Sequence, residues 1–203
     1  MKQNDHKKPD SEKEEKLGWQ RCTLLYMHDM IYILAIVLVL FSLVFRMVVV
    51  SGFSMYSTLT DGDYLILISS LFHPDPKPGD VIVVSKQQFD NGRPIVKRVI
   101  ATEDQTVDID FEEGVVYVDG EPLQEDYTNT PTNLQEGTEF PLVVDEGCII
   151  ALGDNRNNSR DSRSPEIGQI DKREVLGKAI FLALPGPDTE TEKRDFSRIG
   201  VVK

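Results

Sequence analysis

Histidine and cysteine are scarce in this chain of 203 residues, which has three histidines and two cysteines. Cys22 and Cys148 lie on opposite sides of a long apolar run, so they cannot pair within one chain if that run spans a membrane. The sequence shows neither a disulfide framework nor a zinc-ligand spacing. We therefore expect no metal and no cofactor, because no cluster of ligand residues recurs at a suitable spacing.

Basic residues are also few, since 22 Lys and Arg stand against 34 Asp and Glu and give a net charge of −12. The acidic excess lies after residue 50. A domain of this charge repels phosphate backbones, so nucleic acid is not an expected partner. The charge otherwise indicates a solvated acidic surface.

Residues 30–50 form the long apolar run, and Arg46 is its one charged residue. As a helix the run would span roughly 31 Å, about the thickness of a bilayer's hydrocarbon core. It is longer than the apolar region of a cleavable signal peptide, and Val48, Val49 and Val50 offer no small-residue cleavage pattern. The near absence of polar residues also disfavours a buried soluble helix. We interpret the run as a retained transmembrane anchor.

The distribution of basic residues predicts the orientation of this anchor. Lys13, Lys16 and Arg21 precede it, whereas no Lys or Arg follows Val50 until Lys77. Positively charged flanks stay on the cytoplasmic side. We therefore expect a single-pass protein of the cell membrane, with a cytoplasmic amino terminus and the rest of the chain outside.

Beyond the anchor, short β-type runs alternate with turn residues and no long stretch has amphipathic helical spacing, so the predicted fold class is mainly β. Candidate strands cover residues 64–68, 81–84, 95–100, 115–118, 148–152 and 179–184. Asp119-Gly120 predicts a hairpin turn. The predicted regions are a disordered cytoplasmic tail (1–29), the anchor (30–50), an extracytoplasmic β-rich domain (51–187) and a loosely held carboxy-terminal tail (188–203).

Ser54 lies just beyond the anchor and is a candidate nucleophile. A serine hydroxyl attacks a carbonyl only when a neighbouring base takes its proton. The three histidines are poor candidates for that base. His6 and His28 lie before or at the membrane entry, and His73 sits in a Pro-rich loop where nothing fixes its ring.

Lys97 is better placed as the base, because strand alternation would turn it with Ile95 and Val99 to one apolar face and turn Arg98 to the other. Burial lowers the pKa of a lysine and leaves a neutral amine that can accept the Ser54 proton. The local pattern also fits a solvated lysine at a sheet edge, and that alternative stays open at this point.

The blocks around these residues, in this order after one amino-terminal span, resemble bacterial type I signal peptidases, the Ser/Lys enzymes that remove signal peptides from exported proteins. The serine block is 52–55 followed by 58–59 and 62–63, a second block is 78–83, the lysine block is 96–100, and the last block is 153–163. The last block, GDNRNNSRDSR, is the most specific of them.

The resemblance implies a signal-peptidase-type β domain in which Ser54 is the nucleophile and Lys97 the general base. It also implies that Ser159 hydrogen-bonds the lysine amine and that Asp161 and Arg163 form supporting polar contacts. A carboxylate touching the amine would raise its pKa. We therefore expect Asp161 to pair with Arg163 or another cation instead.

Three positions depart from the family pattern. Ser57 replaces a common proline, which removes a fixed φ from the turn behind the nucleophile. Residues 101–105 replace the usual Gly-x-Pro-Gly-Asp, so we expect a rebuilt turn there. Gly52 replaces a serine that supports the oxyanion in some members, so the Ser54 backbone N–H and a second, unidentified donor must hold that charge.

The predicted function is that of a membrane-bound serine endopeptidase that cleaves signal peptides from exported preproteins, with those peptides and the lipid bilayer as partners. Phe53, Met55 and Tyr56 would line shallow pockets for small residues before the cut, or would belong to the core. One alternative is a catalytically impaired, membrane-tethered β domain that binds exported chains. Another is a peptidase dedicated to a narrow class of precursors, such as pilin-like proteins.

Overall fold

The structure is a computed structural model that describes residues 9–73, 75–188 and 191–202. The chain divides after Leu43 into a helical unit and a β unit. The helical unit is α1 (Pro9–Val44), and its part Thr23–Val44 is long and apolar enough to cross a membrane. Its side chains at 23–43 are exposed, which suits a lipid environment better than a protein core.

Two predicted boundaries were wrong. Residues 9–29 of the predicted disordered tail are helical, and residues 1–8 lie outside the described residues. Glu and Lys, which are good helix formers, dominate 12–16 and explain the longer helix. At the other end, α1 ends at Val44, and Phe45–Val49 of the predicted anchor forms strand β1. Phe45, Val48 and Val49 favour a strand, and all five residues pair with the next strand of the chain.

The β unit confirms the mainly β prediction. After β1, its strands are β2 (Tyr64–Ser69), β3 (Val81–Val84), β4 (Ile95–Thr102), β5 (Thr106–Asp110), β6 (Val115–Val118), β7 (Glu121–Pro122), β8 (Leu142–Val143), β9 (Cys148–Leu152), β10 (Ile170–Asp171), β11 (Val175–Leu184) and β12 (Gly200–Val201). All six predicted strands are present, and three of them, β2, β4 and β11, are longer than predicted. Asp119 and Gly120, both at positive φ, connect β6 to β7 as the hairpin prediction required.

Two antiparallel sheets result. The larger has the order β1-β2-β11-β3-β4-β9-β10, with β12 also paired to β11, and the smaller has the order β7-β6-β5-β8. Strand β3 shows why the central strands are continuous apolar runs. Val81 and Val83 join one buried cluster and Ile82 and Val84 another, so both faces of the larger sheet are covered.

The carboxy-terminal tail is held more firmly than predicted. Strand β12 pairs with β11, and a 3₁₀ turn at Phe196–Arg198 precedes it. Arg198 reaches Asp63 and donates to its Oδ2 at 2.7 Å. The physical reason is that Asp63 is fully buried, and a buried carboxylate requires a cation or several donors.

Asp63 closes the loop that carries Ser54. Its carboxylate accepts hydrogen bonds from the backbone N–H groups of Thr60 and Gly186, and its own backbone carbonyl accepts from Val50. Burial raises the pKa of Asp63, but the Arg198 guanidinium and the two amides outweigh it and hold that pKa below its ordinary value. This stabilising contribution is therefore present above the unfolded-state pKa and is lost as the pH falls through the folded-state value.

Replacing Arg198 by Ala should destabilise the β unit, because it leaves Asp63 buried without its cation. We expect a loss of about 2–3 kcal/mol in the free energy of unfolding, measured by chemical denaturation of the full chain in detergent micelles. Arg173→Ala is the matched control, since that side chain is 89% exposed and pairs with Asp171 at the surface. A loss no larger than the control's would contradict the assigned role.

Candidate active site

Ser54 lies in a turn that is fixed by the core on either side of it. Met55 and Leu59 are each 1% exposed and belong to the same buried cluster as Val50. The Leu59 backbone N–H donates to the Met55 carbonyl at 2.8 Å, which closes the turn. With these neighbours buried, the half-buried Ser54 side chain is held at the edge of the core.

Lys97 meets Ser54 from β4. Its backbone pairs with Ile82 in β3, and its side chain is 3% exposed. The Lys97 Nζ and the Ser54 Oγ lie 2.8 Å apart, within hydrogen-bonding distance. The structure thus brings together the two predicted residues, and the alternative of a solvated lysine at a sheet edge was wrong.

The surroundings of Lys97 lower the pKa of its amine. Burial and, to a smaller extent, Arg163 lower this pKa, whereas Asp161, Glu136 and Asp154 raise it, and the combined effect is a pKa of about 8. At pH 7 roughly one tenth of the amine is therefore uncharged and able to act as a general base, far more than for an ordinary lysine.

Asp161 pairs with Arg163, as predicted. Arg163 donates from Nε and Nη2 to the two carboxylate oxygens, both at 2.8 Å, and both side chains are fully buried. Burial raises the pKa of Asp161, but Arg163 and the Gly153 amide outweigh this and lower it. Arg163 thus compensates the charge of Asp161, the carboxylate that acts most strongly on Lys97.

Ser159 does not form the predicted hydrogen bond to the lysine amine. It is 5% exposed, and its hydroxyl has no hydrogen-bond partner among the described residues. A Cβ built on Gly153 would lie 2.1 Å from the Ser159 Oγ. The hydroxyl therefore packs against the Gly153 backbone.

Asn155 holds the serine turn, a role that the sequence analysis missed. Its backbone N–H donates to the Ser54 carbonyl at 3.0 Å, and its side-chain Nδ2 donates to the Phe53 carbonyl at 3.0 Å. Gly153 permits this approach, because its Cβ position lies only 2.5 Å from the Ser54 carbonyl oxygen. The polar composition of the block 153–163 predicts that it forms hydrogen bonds, but not which backbone atoms accept them.

Arg98 and Asp154 form a second buried ion pair that the sequence analysis missed. Arg98 lies on the opposite face of β4 from Lys97, as predicted, but it is 2% exposed and donates twice to Asp154, at 2.8 and 2.7 Å. Its guanidinium also lies over the Tyr127 ring, 4.0 Å from the centroid. Thr58 in the serine loop donates to Asp154 at 2.5 Å, so this pair fixes the loop as well.

The departures from the family pattern are accommodated locally. The Gly52 N–H donates to Asp61 at 2.7 Å and so is not a second oxyanion donor here. Gly52 has a φ of +88°, which favours glycine. The turn after β4 is rebuilt around Asp104 at φ +67°, and the Gln105 N–H donates to the Thr102 carbonyl at 3.2 Å.

A family profile described as "Signal peptidase, peptidase S26" matches residues 24–184. The chain belongs to the signal peptidase family. It is 40% identical to a probable signal peptidase I-1 from Synechocystis sp. over 141 residues, which cover 65% of this chain and 67% of that protein. It is 31% identical to signal peptidase I from Bacillus licheniformis over 163 residues, which cover 75% of this chain and 85% of that protein.

A crystal structure of a signal peptidase I from Enterococcus faecalis V583 is also similar, at 30% sequence identity and a TM-score of 0.42. The match covers 51% of this chain and 96% of that one.

In this signal peptidase family member, a cavity of about 750 Å³ opens beside the serine turn. Phe53 and Tyr56, which are 44% and 51% exposed, line it together with Pro187 and Lys193. Met55, in contrast, is a core residue. No group of three or more His, Cys, Asp and Glu side chains within 9–73, 75–188 and 191–202 is placed to hold a metal ion.

Gly153→Ala should impair this peptidase, because the new methyl group would force apart the Ser54 turn and the Ser159 segment. A displacement of about 1 Å lowers turnover by roughly 100-fold. We expect kcat for a peptide substrate to fall at least about ten-fold. Gly200→Ala is the matched control, since no atom of the described residues other than its chain neighbours lies within 4 Å of its Cβ position. Equal kcat values for the two variants would contradict the proposed packing.

Proposed function

We propose that this protein is a membrane-bound serine endopeptidase that removes amino-terminal signal peptides from exported preproteins, with Ser54 as nucleophile and Lys97 as general base. The observation that carries the proposal is the 2.8 Å separation between the buried Lys97 Nζ and the Ser54 Oγ. Membership of the signal peptidase family supplies the substrate class.

The mechanism follows from the protonation state of the lysine. Neutral Lys97 takes the proton from the Ser54 hydroxyl while Oγ bonds to the substrate carbonyl carbon. We assign the Ser54 backbone N–H to the oxyanion. The Lys97 ammonium then gives its proton to the leaving nitrogen, the peptide bond breaks, and an acyl-enzyme forms. Water deprotonated by the same amine hydrolyses the ester and regenerates Ser54.

The helical unit supports a membrane location for this chemistry. Residues 23–44 provide a candidate span, and Ser54 follows it by only ten residues. A signal peptide lies in the bilayer with its cleavage site emerging at the surface. We propose that α1 anchors the protein with its amino terminus in the cytoplasm and its β unit outside, as the basic residues before the span indicate.

The catalytic roles of Ser54 and Lys97 are tested by cleavage of a preprotein that carries an Ala-x-Ala site. Wild type should produce mature protein, whereas Ser54→Ala and Lys97→Ala should lose activity by at least about 1,000-fold. Lys172→Ala, which removes a lysine paired with Glu103, is the control and should cleave normally. Equal product from all variants would contradict the mechanism, and none from wild type would favour the tethered binding domain.

Activity should depend on pH through Lys97. Because its amine must be neutral and its pKa is about 8, kcat/KM should fall about ten-fold per unit as the pH decreases below that value. The measurement is a pH profile of kcat/KM in vesicles. Unchanged activity down to about pH 5 would indicate a different base.

The proposed orientation is tested by cysteine labelling in intact cells. A cysteine introduced at the exposed Glu121 should react with a membrane-impermeant maleimide, whereas one introduced at Ser11 should react only after the membrane is opened. Cys22 and Cys148 are replaced by Ser in both variants. The reverse pattern of labelling would overturn the orientation.

A further inference from the structure

Residues 133–138, here called the covering segment, cross the block 153–163 and are fixed to it at both ends. At one end, the Leu134 N–H donates to the Asn157 Oδ1 at 3.1 Å and Arg163 donates to the Leu134 carbonyl at 3.0 Å. At the other, the Thr138 N–H donates to the Arg163 carbonyl at 2.8 Å and its hydroxyl donates to the Ser162 carbonyl at 3.1 Å. Glu136 lies between these attachments.

The Glu136 side chain is half-buried, and its Oε2 is inaccessible and has no hydrogen-bond partner among the described residues. A buried carboxylate oxygen without a partner is costly, so it requires a functional or structural reason. The charged groups that act on Glu136 are Asp161, Arg163 and Arg160. Arg160 itself pairs with Glu166 at the surface.

Lys97 experiences three carboxylates, from Asp161, Glu136 and Asp154, and one guanidinium, from Arg163. Two of the three carboxylates are already compensated. Asp161 is held by Arg163, and Asp154 is held by Arg98. Of the three carboxylates that act on Lys97, Glu136 is the one that forms no ion pair at 4 Å or less within the described part of the chain.

The proton transfer from Ser54 creates an ammonium at a site that is almost closed to water. A buried cation needs a compensating charge. We propose that Glu136 is a positioning residue for Lys97. The Glu136 carboxylate supplies the counter-charge to the Lys97 ammonium that forms during catalysis. Glu136 takes no proton in this step, because the Ser54 O–H bond breaks and the Lys97 N–H bond forms. The inference rests on the proposed function of the Ser54–Lys97 pair.

The sign of the effect follows from the charges. Burial and Asp161 raise the pKa of Glu136, and Glu136 in turn raises the pKa of Lys97 against the larger effect of burial. Removing the Glu136 charge therefore lowers the pKa of Lys97. The amine stays neutral to lower pH, but it becomes a weaker base and its ammonium is less stable.

The test is the pH profile of preprotein cleavage by the full chain in phospholipid vesicles. Glu136→Gln keeps the shape and removes the charge. We expect the acid limb of kcat/KM to move to lower pH by about half a unit or more, and the plateau of kcat to fall roughly two- to three-fold. Glu139→Gln, an exposed position three residues along the chain, is the control and should keep the wild-type profile.

An acid limb of Glu136→Gln that coincides with that of Glu139→Gln, or lies at higher pH, would overturn the inference. If Glu136→Gln does not fold, the pH profile of Glu136→Asp is measured instead. Its side chain is one methylene shorter and places the carboxylate farther from Lys97, so the acid limb should move to lower pH by a smaller amount. No shift there would also overturn it. Failure of wild type to cleave, or cleavage by Ser54→Ala, would instead refute the proposed function, so the two failures are distinguishable.

Discussion

The active site depends on a lowered pKa for one lysine amine in a region that is rich in carboxylates. Burial alone lowers the pKa of Lys97, but uncompensated neighbours such as Asp161 would restore its charge. Arg163 engages Asp161 through both oxygens, and Arg98 does the same for Asp154. The two guanidinium groups therefore serve the base indirectly, because they bind the acids that would otherwise attract its proton.

The order of strands explains how residues far apart in sequence meet. Strands β3, β4 and β9 are neighbours in the larger sheet, and Arg98 in β4 pairs with Leu152 at the end of β9. The block 153–163 follows β9 directly, so it begins beside the lysine strand. Backbone contacts from Asn155 then fix the Ser54 carbonyl. The position of the nucleophile is thus a consequence of sheet register.

The sequence predicted those features that depend on local patterns. Continuous apolar strands such as β3 and the Asp119-Gly120 hairpin were found because period and turn chemistry are local. The end of α1 was not, because Phe45–Val49 continues the apolar run with one charge, Arg46, and only pairing with β2 distinguishes it from the helix. The pairing of Arg98 with Asp154 and the position of the Ser159 hydroxyl away from Lys97 also depend on tertiary packing, which no spacing reveals.

The unsatisfied polar atoms around the lysine fit a site shaped by catalysis more than by stability. The Ser159 hydroxyl and the Glu136 Oε2 are both buried with no hydrogen-bond partner in the part of the chain that the structure describes, and each such group costs about 1–3 kcal/mol. Apolar side chains would remove that cost. Ser159, however, belongs to the block 153–163 that holds the Ser54 turn, and Glu136 belongs to the covering segment bound to that block. A buried polar group that folding does not require needs another reason, and for Glu136 that reason is the proposed counter-charge to the Lys97 ammonium.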